Sequence, residues 1–289
     1  MGIKRIVICL CAYVVVALSF KAVSADEIRS AQNEGRVDEY IRSVYSQLNF
    51  VNADRLSYDA FEKAYRGYIN LRNENKLNND KEILTICDFD LPSTENRMWI
   101  IDLVTCKVLF NTYVAHGQGS GEACAMTFSN IENSHQSSLG FYVTGDTYNG
   151  DHGVSLRLNG QDMGFNDAAL ERGIVVHGAD YVSDQFIANN QKLGRSWGCP
   201  AVCENLKKPI IETIQGGTCL FIYYQDSRYL AKSYWLNHRI DRLPDNGMFA
   251  NLPMPKVPKP KPTRIVYQYV HGNTVDSSRT MPFTEASGQ

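Results

Sequence analysis

The sequence lacks the features that mark several large functional classes. Its 29 basic and 31 acidic residues leave a formal net charge of −2, so no field gathers nucleic acid or holds an anionic membrane surface. No pair of Cys-x-x-Cys elements offers a zinc cage, and no His-Glu-x-x-His run offers the compact ligand set of a metallopeptidase. The marked apolar run at the start, Ile6 to Phe20, is short for a membrane span. What remains is an ordinary globular composition, 44% hydrophobic and 21% charged, in a chain of 289 residues. That length holds one sizeable domain with appendages, or two small domains.

Met1-Gly2-Ile3-Lys4-Arg5 is basic, the apolar run follows, and Lys21-Ala22-Val23-Ser24-Ala25 precedes Asp26. This charged, apolar, small-residue layout predicts a secretory signal over 1–25, hence export and no stable membrane insertion after cleavage. Neither Cys9 nor Cys11 has the small-residue context of a lipid attachment site. After cleavage Cys87, Cys106, Cys124, Cys199, Cys203 and Cys219 remain in an oxidising compartment, where an even set is compatible with disulfides. A working thiol among them leaves five, one of which must be free.

From 26 to 82 the pattern is helical. Val37, Tyr40, Ile41, Val44 and Leu48 recur at helical spacing, as do Phe61, Tyr65, Tyr68 and Ile69, and Ser57 stands as an N-cap. From Ile83 the texture becomes short β-rich runs between turns, supported by sixteen Tyr and twelve Phe. The runs are 83–86, a hairpin of 98–103 with 108–115, then 140–144, 154–158, 173–176 and 219–224, with a helix at 209–214. The predicted fold is mostly β, a largely antiparallel sheet with short helices over 83–235, plus the small helical N-terminal region. Beyond 236, Pro253, Pro255, Pro258, Pro260 and Pro262 alternate with lysines as a stiff linker, Arg264–Val270 is compatible with an added strand, and the end reads as disordered.

The chemistry centres on Gly194-Arg195-Ser196-Trp197-Gly198-Cys199-Pro200. Proline suits the first helical position, which predicts a helix starting at Pro200 with Cys199 as its N-cap. There the helix dipole lowers a thiol's pKa, and the N–H groups of Gly198 and Cys199 are candidates to bind an oxyanion. A structural cysteine at a helix start is the other reading. His177 follows the apolar run Ile174-Val175-Val176 and precedes Gly178, at the expected end of a strand. It is a candidate general base, because it titrates near neutrality. A histidine bonded only to local backbone is the alternative.

His177-Gly178-Ala179-Asp180 followed by Gly194-Arg195-Ser196-Trp197-Gly198-Cys199-Pro200 resembles the active-site signature of the murein L,D-transpeptidase catalytic domain family, in its branch with proline after the cysteine. The resemblance runs from about Ile83 to Tyr234 and includes Asp88–Thr94, Val114–Gly117, Phe128–Asn130, Ser137–Tyr142, Gly153–Leu158 and Gly164–Asp167. It implies a β-rich domain acting on peptidoglycan stem peptides with no cofactor. Cys199 then forms a thioester with the stem, and an amine resolves it as a cross-link or exchange product. Water in its place gives an L,D-carboxypeptidase. His177 becomes the base, oriented by the carbonyl of Gly178 or Ala179.

The sequence departs from the wider family at two points. Trp197 stands where a histidine is common, and Pro200-Ala201 where arginine or asparagine often follows the cysteine. Arg195 is a candidate to supply that charge, with Ser196 and Trp197 as further substrate contacts. His116 and His152, in glycine-bordered loops, are candidates to line the cleft. With His177 they form the one ligand set a zinc hydrolase would have, a weaker reading than the thiol enzyme. A wall-binding module with a silent thiol is the non-enzymatic rival. Cys203, near Cys199, is read as an unrelated thiol rather than a disulfide partner. Arg157 and Arg172 are read chiefly as salt-bridge residues.

Overall fold

A computed structural model describes residues 25–78, 80–151 and 153–244. The leader up to Ser24, His152 and the proline-rich segment from Asp245 lie outside the described residues.

Two helices open the described chain, α1 (Ala25–Gln47) and α2 (Tyr58–Asn73). Ser57 caps α2, its side chain accepting a hydrogen bond from the Ala60 N–H, which satisfies one orphan donor of the first turn. The predicted stripes are buried: Val37, Ile41 and Val44 on α1, and Phe61, Tyr65 and Ile69 on α2. Phe61, Tyr65 and Tyr68 stack in sequence at centroid distances of 5.4 and 5.7 Å. Each such ring removed from water stabilises the fold by about 2 kcal/mol. These side chains share one core cluster with the sheet residues Leu84, Ile100, Phe141, Phe221 and Ile222.

The sheet has eight strands: β1 (Ile83–Asp88), β2 (Met98–Asp102), β3 (Lys107–Thr112), β4 (Gly140–Gly150), β5 (Gly153–Gly160), β6 (Val175–Ala179), β7 (Ala201–Cys203) and β8 (Cys219–Tyr223). Their order is β3-β2-β1-β8-β4-β5-β6-β7. The sheet is mixed, because β1–β8 and β6–β7 pair in parallel and the other neighbours antiparallel. The β2–β3 hairpin forms where its pattern predicts. Beyond β3, bridges of Ala115 to Ala201 and Gly117 to Ser196 carry the chain to the far edge beside β7.

Between β6 and β7 lies α3 (Asp184–Asn190), and α4 (Glu204–Ile214) follows β7. Two expectations are corrected here. No helix begins at Pro200: Ala201-Val202-Cys203 instead pairs in parallel with His177-Gly178-Ala179, and α4 starts at Glu204 with Cys203 as N-cap. His177 lies in the middle of β6 rather than at its end, because the same pairing extends the strand to Ala179. The last described elements, α5 (Ser227–Lys232) and α6 (Tyr234–Asn237), are tied to α2 through Asn70, which donates to the carbonyls of Trp235 and His238 at 2.8 and 2.9 Å. No helix among the described residues is long and apolar enough to cross a membrane.

Candidate active site

The β6–β7 edge brings Cys199 and His177 onto neighbouring segments. Cys199 Sγ accepts from the Val175 N–H at 3.4 Å, at the start of β6. Its S–H faces the Gly173 carbonyl at 3.8 Å, a weak contact. His177 stands two residues after Val175, so both side chains leave the same face of the strand. Its Nδ1 lies 2.9 Å from the Gly178 carbonyl oxygen. A carbonyl only accepts, so Nδ1 carries the hydrogen and Nε2 presents the lone pair.

The thiol's acidity differs from the N-cap expectation. Without a helix dipole at Cys199, burial dominates and pushes the thiol above its ordinary value. The Val175 N–H and the Arg172 charge pull partly in the other direction. The resting group is a thiol, so a base must take its proton as it attacks.

The loop before Cys199 is built by hydrogen bonds from Ser196. Its Oγ donates to the Cys199 carbonyl at 2.6 Å and accepts from the Gly198 N–H at 3.1 Å. The Ser196 N–H donates to the His116 carbonyl at 3.0 Å, and its carbonyl accepts from the Gln118 N–H at 2.8 Å. Ser196 is buried and shapes the loop. Gly198 has φ +125°, and a Cβ there would stand 2.8 Å from the Gln136 carbonyl oxygen. Gly117 is equally confined, since its Cβ would meet the His135 carbonyl at 2.5 Å and the Gly198 Cα at 2.8 Å. Three loops thus converge where only glycine fits.

The remaining candidates separate. Arg195 reaches Glu122 at 2.6 Å and the Gly121 carbonyl at 3.0 Å, so its charge is already paired. Trp197 is 71% exposed and stacks on His135 at 4.8 Å with 4° between the rings. His116 is fully buried, contrary to a place in the cleft. Its Nδ1 lies 2.7 Å from Arg97 Nη2, which can only donate, so Nε2–H points at the Gly121 carbonyl at 3.3 Å. Burial and the Arg97 charge push its pKa down to about 4. With both nitrogens committed, His116 has no lone pair for a metal. Among the described residues no group of three His, Cys, Asp or Glu side chains is arranged to hold one.

None of the six described cysteines is in a disulfide, Cys203 included. Arg172 and Arg157 also depart from expectation, as neither pairs with an acid among the described residues. Arg157 lies over the Tyr148 ring at 4.3 Å, and Arg172 binds carbonyls and hydroxyls beside Cys199. The composition gave no sign of this arrangement around Arg172, because its partners come from a distant loop.

Comparison with known proteins adds the family. The model of the L,D-transpeptidase catalytic domain matches residues 52–223. No curated protein sequence matches the chain. Solved structures with similarity include an L,D-transpeptidase from Mycobacterium smegmatis, at 12% identity and TM-score 0.31 over 50% of this chain and 59% of that one. The helical cell shape determining protein from Campylobacter jejuni aligns at 16% identity and TM-score 0.34, over 57% of each chain. An L,D-transpeptidase from Stackebrandtia nassauensis aligns at 12% identity and TM-score 0.31, over 68% of this chain and 92% of its own. The chain therefore spans less than two thirds of the length of the first two.

Proposed function

The chain belongs to the L,D-transpeptidase catalytic domain family, and on that premise we propose that it is an exported peptidoglycan L,D-transpeptidase acting through Cys199. The observation that carries this reading is the meeting of a half-buried thiol with β6, where His177 directs Nδ1–H at its own neighbour's carbonyl and so places its lone pair on Nε2.

His177 Nε2 takes the thiol proton as Sγ attacks the carbonyl between the L-centre of the stem's third residue and the following D-residue. The Cys199 N–H is the proposed first donor to the oxyanion, because Ser196 Oγ already holds the Gly198 N–H. Collapse breaks the amide, and the imidazolium returns its proton to the leaving amine of the D-residue. The thioester then passes to an acceptor amine, which forms a new amide and restores the thiol. Trp197, exposed beside the thiol, is the foremost substrate contact, while Arg195 and Ser196 hold the loop's shape. The signal over 1–25, the helical region over 26–82 and the catalytic body over 83–235 complete the proposed organisation.

The test is a product assay with a tetrapeptide stem and an added D-amino acid or second stem. An amine-dependent product lost in Cys199→Ala supports transpeptidation. Release of the D-residue without amine incorporation assigns water as acceptor, and unchanged turnover in Cys199→Ala refutes the reading.

A further inference from the structure

Arg172, half-buried in the turn before β6, holds four groups of one strap. Nη1 donates to the Ser129 carbonyl at 2.8 Å and to Ser138 Oγ at 2.5 Å. Nη2 donates to the Gln136 carbonyl at 2.8 Å and to Ser134 Oγ at 3.3 Å. All four lie between 129 and 138, the segment that closes over Gly198. A Cβ on Gly198 would stand 2.8 Å from the Gln136 oxygen and 3.4 Å from Arg172 Nη2, so the guanidinium flanks the residue before the nucleophile.

The identity of these partners matters. Carbonyl and hydroxyl oxygens satisfy the N–H groups of a guanidinium without neutralising it, whereas a carboxylate would do both. No carboxylate is within ion-pair distance of Arg172 among the described residues. Arg195 is paired with Glu122, and Arg157, opposite Val175 on β5, lies over the Tyr148 ring, so Arg172 is the uncancelled charge that flanks Gly198.

We propose that Arg172 is a positioning residue for the reaction, which fixes the 129–138 strap over Gly198 and whose uncancelled charge favours the ionised form of the Cys199 sulfur. The proposal rests on Cys199 being the nucleophile. The Arg172 charge opposes the upward push of burial on that thiol, second in size to the Val175 N–H. The other titratable and charged groups on the elements around the pair include His177 on β6, Tyr181 beyond it, Tyr142 on β4, Arg157 on β5, and Glu132 and His135 on the strap itself. Burial raises the pKa of both tyrosines and keeps them neutral, so neither offsets the guanidinium.

The test is the pH profile of Cys199 alkylation by iodoacetamide in the full chain, with peptide mapping to separate Cys199 from the exposed Cys124. Arg172→Gln moves the midpoint upward by about one pH unit, and Arg172→Lys, which keeps the charge, by no more than about 0.3. Ser134→Asp sets a carboxylate beside Nη2 and shifts the midpoint in the same upward direction. It keeps the arginine, so the proposal stays testable if Arg172→Gln does not fold. An unmoved midpoint in folded Arg172→Gln, or in Ser134→Asp, overturns it. Alkylation reads the thiol whether or not the protein turns over. Loss of the nucleophile reading, seen as turnover in Cys199→Ala, is therefore a separate result.

Discussion

Two regions of this molecule contain an arginine, a histidine and a cysteine, and they differ in what each group touches. At the 87–121 corner, Arg97, His116 and Cys87 are fully buried. Arg97 donates to the carbonyls of Val114 and Leu91 and to the His116 ring, and its carbon lies 4.7 Å from the Phe89 centroid. Burial pushes the Cys87 thiol up to about 12, out of reach of any neutral chemistry. At the β6–β7 edge, Arg172 is half-buried, His177 has a carbonyl on Nδ1, and Cys199 meets an N–H donor. The same residue types form a packing unit in one place and a candidate reaction centre in the other. The His116 ring faces the Arg97 guanidinium through Nδ1, whereas His177 faces a carbonyl there, and the partner on that nitrogen distinguishes the two.

The sharpest break of that comparison is functional. Cys199→Ala and His177→Ala each reduce turnover by at least about 10³-fold while the protein stays folded, checked by product assay and circular dichroism. Cys87→Ala leaves turnover within about twofold and destabilises by about 1 kcal/mol, the cost of a small cavity.

On stability the ranking reverses. Arg97→Met strands the Val114 and Leu91 carbonyls and the His116 ring in the core, and denaturant titration is expected to register a loss of about 3 kcal/mol. Arg172→Gln costs about 1 kcal/mol, because its partners lie nearer solvent. Equal losses at the two arginines would dissolve the distinction between the regions.

Ser196→Ala is a smaller perturbation of the reactive edge alone. It removes the link between the Gly198 N–H and the Cys199 carbonyl, and turnover is expected to fall about tenfold with a stability loss of about 1 kcal/mol.

A titration tests the buried corner alone. The His116 ring stays neutral until about pH 4, against an ordinary 6.5, because burial and Arg97 oppose its charging. Between those values the unfolded chain takes up a proton that the folded chain does not. The His116 contribution is therefore undiminished above pH 6.5 and falls as pH drops toward 4. Asp88, raised to about 6 by burial, acts oppositely and favours the folded state as pH falls below that value. Ring resonances followed by NMR separate the two, and a His116 midpoint near 6.5 would contradict its assigned partners.

Sequence and structure agree where information is local. The helical stripes around Tyr65 and Ile41, the Ser57 cap and the β2–β3 hairpin follow from periodicity and capping chemistry within a dozen residues. The Cys199 and His177 segments were legible as motifs. Their relation was not, since β7 is only three residues long and forms through parallel pairing with β6. Without that pairing, Pro200 looks like a helix start and His177 like a strand end. Arg172 and Ser196 draw their meaning from contacts with loops 129–138 and 116–118, which no local pattern encodes. His116 misled for the complementary reason: glycine neighbours suggested an open loop, and Arg97, 19 residues earlier, fixes it in the core.

The most direct test of the central claim is intact-mass analysis of the reduced protein after incubation with a tetrapeptide stem, wild type beside Cys199→Ala. The account predicts a covalent adduct on the wild type alone, located by digestion to Cys199. Product formed by the Cys199→Ala protein, or an adduct mapped to another cysteine, would contradict it.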